Sequence, residues 1–581
     1  MTRGASGFAE RLRDLAHLPR ELALARLGYD LKRPVFALPL YRYSLAGATA
    51  TSLTIDPSDS WPGDAAIGAG IVEGVFAFSG RRIAHPAPLW APIGAEPGWI
   101  GELHGFAWLR DLRAAGGDAA RRAGRDLVGS WLDHNHVWSS RAWNPLTTGR
   151  RLANWLGCYE FFAASAAVEF RHRLLREIAR QARHLFRVLP AGLAGAELIG
   201  ALKGLIYAGV CLPGGAAWRS HGLAVLLREL PRQILPDGGH VERSPGRHLA
   251  VLRDLIDVRS VLHKGALRDG QTRGDQAIRA EPVKVPSDLQ IAIEGMAPAL
   301  RMLQHGDGGL GLFNGTVEVE GWQLDLVLRR AGGRRSPLNS APDSGFQRLC
   351  AGRTTLLVDA GAPASPGLDR VAHAGTLSLE VSIGRERLIV NCGARLDDPA
   401  WRWAQRATAA HSTLVVEDTN SSQLLAGGGI GSRPQQIQIR REENEGDIWL
   451  DLSHDGYRRL FGLIHHRRIF LGADGNDVRG EDRLAPAPGR QRETAFALRF
   501  HLHPEVQANL SQGGNTVLLR LPKGGGWQLR AAGAEAGLEQ SIYLGRDGEI
   551  RRSQQAVFRG RTGPKGAVVK WALKRLSRKG G

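Results

Sequence analysis

Apolar residues recur along the first half of the chain with the spacing of a helix. Leu252, Leu255, Ile256 and Arg259 stand at i, i+3, i+4 and i+7, which puts three apolar side chains on one helical face. The segments EFRHRLLREIARQARHLFRVL and LAGAELIGALKGLIYAG repeat the pattern, and Gly/Pro breaks such as LPGG separate them. Several such segments joined by short loops predict paired antiparallel helices. Past about residue 315 the period falls to two. In TLSLEVSI, Leu377, Leu379, Val381 and Ile383 alternate with Thr376, Ser378, Glu380 and Ser382. QQIQIR, DIWLDLS, TAFALRFHLH and NTVLLRL behave alike, with DG and GG turn signals between them. This predicts an antiparallel sheet with one dry face, folded as a large β-sandwich. The chain is therefore expected to be an α+β multidomain protein. Its expected parts are a mixed N-terminal extension (1–95), a helical domain (96–310), a Gly/Pro/Arg-rich connection (311–345), the β-sandwich (346–565) and a basic tail (566–581).

Composition narrows the function classes. A chain of 581 residues affords two or more domains. With 43% hydrophobic and 23% charged residues it is neither disordered nor an acidic tail protein. Cys158, Cys211, Cys350 and Cys392 are far apart, which excludes a disulfide scaffold, a zinc ribbon and a thioredoxin-like motif. The formal net charge of +19 points to a polyanionic partner: nucleic acid, an anionic membrane or an acidic polysaccharide. No signal peptide is visible, and no run of about 18 apolar residues predicts a transmembrane segment. A P-loop, an H-E-x-x-H helix and a G-x-S-x-G elbow are missing, as is an RRM core.

Candidate chemistry falls in four clusters. In QILPDGGHVERSPGRH, His240, Glu242, Arg247 and His248 crowd a turn. There Ser244-Pro245 reads as an N-cap followed by proline, a helix start that favours anions. His373 in VAHAGTLSLE and His411 in AAHSTLVVED each stand just before an alternating strand. They suit a shared metal, with Asn391 or a carboxylate as third ligand. HDGYRRLFGLIHHRR brings His454, Tyr457, His465 and His466, and FHLHP adds His501 and His503. Near the front, Trp108, Trp143 and Trp155 accompany Arg150 and Arg151. Aromatic rings beside guanidinium groups suit sugar stacking and carboxylate binding, and core packing explains the tryptophans equally well.

At these residues the sequence resembles the heparinase II/III-like family of polysaccharide lyases, in its alphaproteobacterial branch. ANWL, QILPDGGH, SP-x-x-H, AHAGTLS, AHSTL, HDGY, FHLHP and EQSIYLG carry the resemblance over roughly residues 100 to 560. It implies an N-terminal incomplete (α/α) toroid followed by a C-terminal antiparallel β-sandwich, matching the helix-then-strand division. It also implies β-elimination on uronic-acid glycans, a zinc in the β-domain as in some members, and a place in the cell envelope or periplasm. A homodimer and a cytoplasmic site stay open beside these.

Such chemistry needs a base for the C5 proton, an acid for the leaving oxygen, and a cation or donor to neutralise the carboxylate. On the lyase reading, His240 or His248 is the base, Arg247 clamps the carboxylate and His373 assists. Glu242, Arg150, Arg151, Trp155 and Tyr457 contact substrate, and His373, His411 and Asn391 hold zinc. The sequence also departs from the family pattern. Arg247 stands where the S-x-x-Y-H motif has tyrosine, the usual Asn-His pair is missing near LAGAELIGALKG, and H-x-H-x-D is reduced to Val371-Ala372-His373-Ala374-Gly375. These losses motivate the alternative, a non-catalytic glycan-binding envelope protein. Nucleic acid, suggested by charge alone, is set aside because the basic residues are dispersed.

Overall fold

A computed structural model describes residues 15–272, 282–333, 336–395, 398–487, 493–511, 513–546 and 549–576. The chain forms two compact units, each discontinuous in sequence. Of the described residues, one takes Leu18–Gln233 and Ala250–Ile293 and the other takes Ile234–Leu249 and those from Glu294 onward.

The first unit is helical. Leu252, Leu255 and Ile256 are buried on Pro245–Thr272 as their spacing predicts. Gly195–Cys211 is apolar nearly all round and buried nearly all round, the mark of a central helix. It packs on Pro145–Gly157 almost backbone to backbone: a Cβ on Gly204 would fall 2.1 Å from the Gly149 carbonyl oxygen. The expected N-terminal extension is part of this unit rather than an appendage. It contributes the helices Arg20–Phe36 and Ala65–Val72 and the hairpin Val75–Phe78/Arg81–Ala84. Polar contacts hold it, which is why no apolar period shows. The Trp61 indole donates to Asp257 at 2.6 Å, the Asp59 amide donates to the Gly157 carbonyl at 2.6 Å, and Arg110 pairs with Asp59.

The second unit contains two antiparallel sheets. One runs Gln507–Leu510, Thr516–Arg520, Gly526–Ala532, Ala567–Arg575, Asp477–Pro486, Leu463–Leu471, Asp447–His454, Ile437–Asn444. The other runs Glu535–Tyr543, Arg551–Arg561, Ala495–Leu502, Glu386–Val390, Leu379–Ile383, Thr354–Asp359, Phe346–Ala351, Ser340–Ala341, with Leu414–Val416 beside Ala495–Leu502. Leu356, Val381, Leu450, Ile469, Phe500 and Trp571 belong to the core they share.

Three expectations change here. The connection 311–345 contains a helix, Gly321–Ala331, whose buried Leu324, Val327, Leu328 and Ala331 keep helical spacing inside a Gly/Arg-rich stretch. The basic tail is largely a strand, Ala567–Arg575, lying inside a sheet. Its Val569, Trp571 and Leu573 turn inward with period two while Lys570 stays out; its last residues, 577–581, lie outside the described ones. Finally, Leu379–Ile383 is buried on both faces rather than one. Its polar face meets the segment around His305. The Glu380 carboxylate accepts the His305 Nε2–H at 2.8 Å, the Leu312 amide at 3.1 Å and the Asn391 amide at 2.9 Å, and Ser382 meets His305 Nδ1 at 3.0 Å. Burial pushes the Glu380 carboxyl up, but these partners outweigh it and hold it below its ordinary value.

A hydrogen-bonded polar chain runs inside the sandwich. The Gly456 amide donates to His454 Nδ1 at 3.1 Å, so His454 Nε2 donates to His465 Nδ1 at 3.2 Å and His465 Nε2 donates to Asp482 at 2.7 Å. Arg467 and the Trp571 indole complete the Asp482 carboxylate, each at 2.8 Å. Gly480 lets that indole cross the neighbouring strand: a Cβ there would fall 2.1 Å from the ring. Burial pushes the pKa of both histidines down. For Asp482 burial acts upward, but Arg467 and His465 outweigh it and lower the carboxyl.

These lowered values set the sign of the pH dependence. Below the ordinary histidine pKa of about 6.5 the unfolded chain takes up protons that the folded chain refuses, so folding free energy is lost as pH falls. Denaturant unfolding followed at pH 7.5 and stepwise down to about pH 5 should show a falling midpoint. Replacing Asp482 by Ala orphans Arg467 and should cost about 3–5 kcal/mol at neutral pH.

Candidate functional site

The segment Ile234–Leu249 interrupts the helical sequence, yet belongs to the sandwich unit. A tight turn shapes it. The Leu235 amide donates to the Gly239 carbonyl at 2.9 Å, and the Gly239 amide donates to Asp237 at 2.9 Å. Ser244 then opens Pro245–Thr272 as an N-cap, its Oγ accepting the Arg247 amide at 3.4 Å, as the Ser-Pro pair predicts.

One side chain fastens this segment. Arg243, in the left-handed region at φ 54°, donates from Nε to the Ser344 carbonyl at 2.6 Å, and also to the Ala362 carbonyl and the Asp359 carboxylate. Its own carbonyl accepts the Asn314 side-chain amide at 2.8 Å, and Asn314 Oδ1 accepts the His373 backbone amide at 3.0 Å. The turn, the sheet and the His373 loop are thereby linked through Arg243 and Asn314. Neither residue, nor Asp359, was singled out from sequence. The clue was Asn314-Gly315, a turn pair whose asparagine also takes a left-handed conformation at φ 47°.

The proposed catalytic residues divide into two groups. His240 and His248 line a cavity of about 10 Å³ with Arg243 and Phe346, room for a single water rather than a sugar. His248 Nε2 donates to the Met296 carbonyl at 2.9 Å, and His240 Nδ1 accepts the Glu242 amide at 3.4 Å. Burial pulls His240 down to about 3 and His248 down to about 4, so both are neutral near pH 7. Arg247 keeps partial exposure and faces the buried Glu242 at 3.7 Å.

His373 belongs to the second group, with His411. His411 Nδ1 donates to the Ala407 carbonyl at 2.8 Å, which leaves its Nε2 to accept the His373 Nδ1–H at 3.1 Å. Burial lowers the pKa of both, and among the described residues neither hydrogen-bonds to a carboxylate.

The residues present do not make the expected zinc centre. Asn391 is spent elsewhere: its Oδ1 accepts the Ser412 amide at 3.0 Å and its Nδ2 donates to Glu380 at 3.1 Å. His373 and His411 thus lack their third ligand. Among the described residues no group of three or more His, Cys, Asp or Glu side chains is placed to hold a metal.

The substrate-contact candidates also change. Arg151 and Trp155, one turn apart on Pro145–Gly157, face inward and are fully buried. Arg151 donates to Gln181 at 2.9 Å and to the His104 carbonyl at 3.0 Å, and lies 4.1 Å over the Trp131 ring. Trp155 packs edge-on against Trp131 with centroids 5.2 Å apart. Tyr457 is buried too, its hydroxyl donating to the Leu414 carbonyl at 2.9 Å. None of the three presents a surface to a sugar. Arg150 faces outward and pairs with Glu102 at 3.0 Å.

A helical region followed by antiparallel β-sheets defines the class: the polysaccharide-lyase-like architecture of an incomplete (α/α) toroid and a β-sandwich. The solved structure of a heparinase III shares it, with TM-score 0.69 at 15% identity over 97% of this chain and 93% of that one. So does a heparan sulfate lyase mutant from Pedobacter heparinus, with TM-score 0.60 at 15% identity over 98% and 93%. The profile for the heparinase II/III N-terminus matches residues 129–270, and that for the heparinase II/III-like C-terminal region matches 333–572. The chain belongs to the heparinase II/III-like family. Among its relatives is the FtsZ-localized protein C of Caulobacter vibrioides, 30% identical over 94% of both chains, in keeping with an alphaproteobacterial type. A heparin-sulfate lyase of Bacteroides stercoris is 32% identical, but over 19% of this chain and 17% of that one.

Replacing Arg243 by Met buries an unpaired Asp359 and should cost about 3–5 kcal/mol of folding free energy. Asn314→Ala leaves the His373 amide and the Arg243 carbonyl unsatisfied and should cost about 1–3 kcal/mol. Urea denaturation of both variants checks this ranking. Elemental analysis of purified protein should find zinc well below one per chain.

Proposed function

We propose that this protein is a non-catalytic binding protein on a lyase scaffold, one that holds an acidic glycan chain without cleaving it. The observation that carries the reading is the state of its histidines. A general base works best with a pKa near the operating pH and a lone pair within reach of the substrate proton. His240 and His248 are buried, pulled down to about 3 and about 4, and border a cavity of about 10 Å³. His373 is hydrogen-bonded to His411. The family's acid position is changed as well: Arg247 holds the tyrosine position of the family motif, and Tyr457 and Tyr543 of the same unit are buried with their hydroxyls bonded to Leu414 and Glu318.

The net charge of +19 supports a polyanionic ligand. Family membership supports a uronic-acid glycan as that ligand. The relative named for its localisation with FtsZ, similar over nearly the whole chain, supports a site of action alongside FtsZ.

Incubation with heparan sulfate, chondroitin, alginate and polygalacturonate should produce no ultraviolet absorbance of unsaturated ends. Binding to at least one of them should weaken steeply with added salt. Sustained chain cleavage would overturn the reading in favour of a lyase with a rearranged site. A fluorescent fusion should follow FtsZ through the cell cycle, and a diffuse signal would remove that part of the proposal.

A further inference from the structure

The helix Pro399–Arg406, sequence PAWRWAQR, stands one turn before His411 in the chain. Asp398 caps it, accepting the Ala400 amide at 2.8 Å and the Trp401 amide at 3.3 Å. Its inner side is bolted to the His373 loop. Arg406 Nε donates to the Ala372 carbonyl at 2.8 Å, and the Arg406 carbonyl accepts the Ala374 amide at 2.8 Å. The two residues flanking His373 are therefore both tied to this helix. Arg406 also donates to the Gly429 carbonyl at 3.1 Å, and the next residue, Ala407, receives the His411 ring proton.

The outer side is unlike the inner. Trp403 is 47% exposed. The exposed Trp449, by comparison, packs against Phe470 with centroids 4.5 Å apart and lies under Arg468. Among the described residues Trp403 has no such ring or cation partner, and the exposed Arg402 guanidinium has no carboxylate partner. Arg402 also faces a like charge, since it disfavours the charged form of Arg406. The helix thus holds an indole and an unpaired cation outward on a frame fixed to the His373–His411 pair. The neighbouring exposed residues, Pro399, Ala400 and Ala404, are small.

We propose that Trp403 and Arg402 form a subsite for an acidic sugar, with a pyranose face stacked on the indole and its carboxylate or sulfate paired with the guanidinium. The two are successive residues of one helix, about 100° apart in direction, and both are exposed. This subsite rests on the acidic-glycan reading above and gives it a location.

The test measures binding of heparan sulfate, alginate and polygalacturonate oligosaccharides by calorimetry, with a neutral dextran oligosaccharide for comparison. Trp403→Ala should weaken the acidic ligand about tenfold or more, the scale of losing a central aromatic anchor. Arg402→Ala should weaken it several-fold and flatten its salt dependence, while Trp322→Ala, removing another exposed tryptophan, should leave binding as it was. Oxidative labelling read by mass spectrometry should show Trp403 protected by the acidic oligosaccharides in the unmodified protein. If the protein binds these glycans and Trp403→Ala binds equally well, the subsite is wrong and the glycan reading stands. If none of the glycans binds, both fall. Protection of Trp403 by poly-glutamate but by no glycan would overturn the subsite in favour of a protein partner.

Discussion

The sandwich unit depends on a buried guanidinium. Arg243 enters it from a segment that the chain inserts between two stretches of helical sequence, and its donors meet acceptors from Ser344, Ala362 and Asp359. A buried arginine is tolerated only when charge and hydrogen bonds are both answered. Here the carboxylate of Asp359 answers the charge from one terminal nitrogen, and two carbonyls accept from the other two nitrogens. The left-handed backbone at Arg243 is the cost of aiming the fork inward. Once it is set, the Arg243 carbonyl orients Asn314, and Asn314 orients the His373 loop.

The same principle recurs through the unit: buried charged and polar side chains are joined in hydrogen-bonded chains. Ser382, His305 and Glu380 form a relay that looks like a nucleophile, a base and an orienting carboxylate. All three are buried, so the arrangement pins a strand to the segment covering it rather than attacking a substrate. His454, His465, Asp482 and Arg467 do likewise inside the sandwich. Histidine content in this chain therefore reports internal construction more than catalysis. The histidines that the lyase reading makes catalytic, His240, His248 and His373, are all buried, whereas a general base needs a lone pair within reach of the substrate proton.

Two features of the surface match this reading. Positive charge is in excess over the whole chain, and the helix carrying Trp403 is anchored to the same loop that Asn314 orients. Rigid support beneath an exposed aromatic ring is what a binding platform needs, because little ordering entropy is then lost on association.

Sequence alone determined the order of the architecture, helices first and strands after, because hydrophobic period is a local property. It also determined the family, through short motifs, and the helix start at Ser244-Pro245. It misread Ala567–Arg575 as a tail, since alternating lysines look the same on an exposed chain and on a half-buried strand. It assigned Arg151, Trp155 and Tyr457 to a surface because residue type does not reveal which face of an element turns inward. Only the tertiary structure decided that Ile234–Leu249 joins the sandwich unit, that Glu380 is buried behind His305, and that Asn391 is already spent. Each of these depends on partners from 11 to more than a hundred residues away in sequence, and no local pattern encodes which distant donor will meet which acceptor.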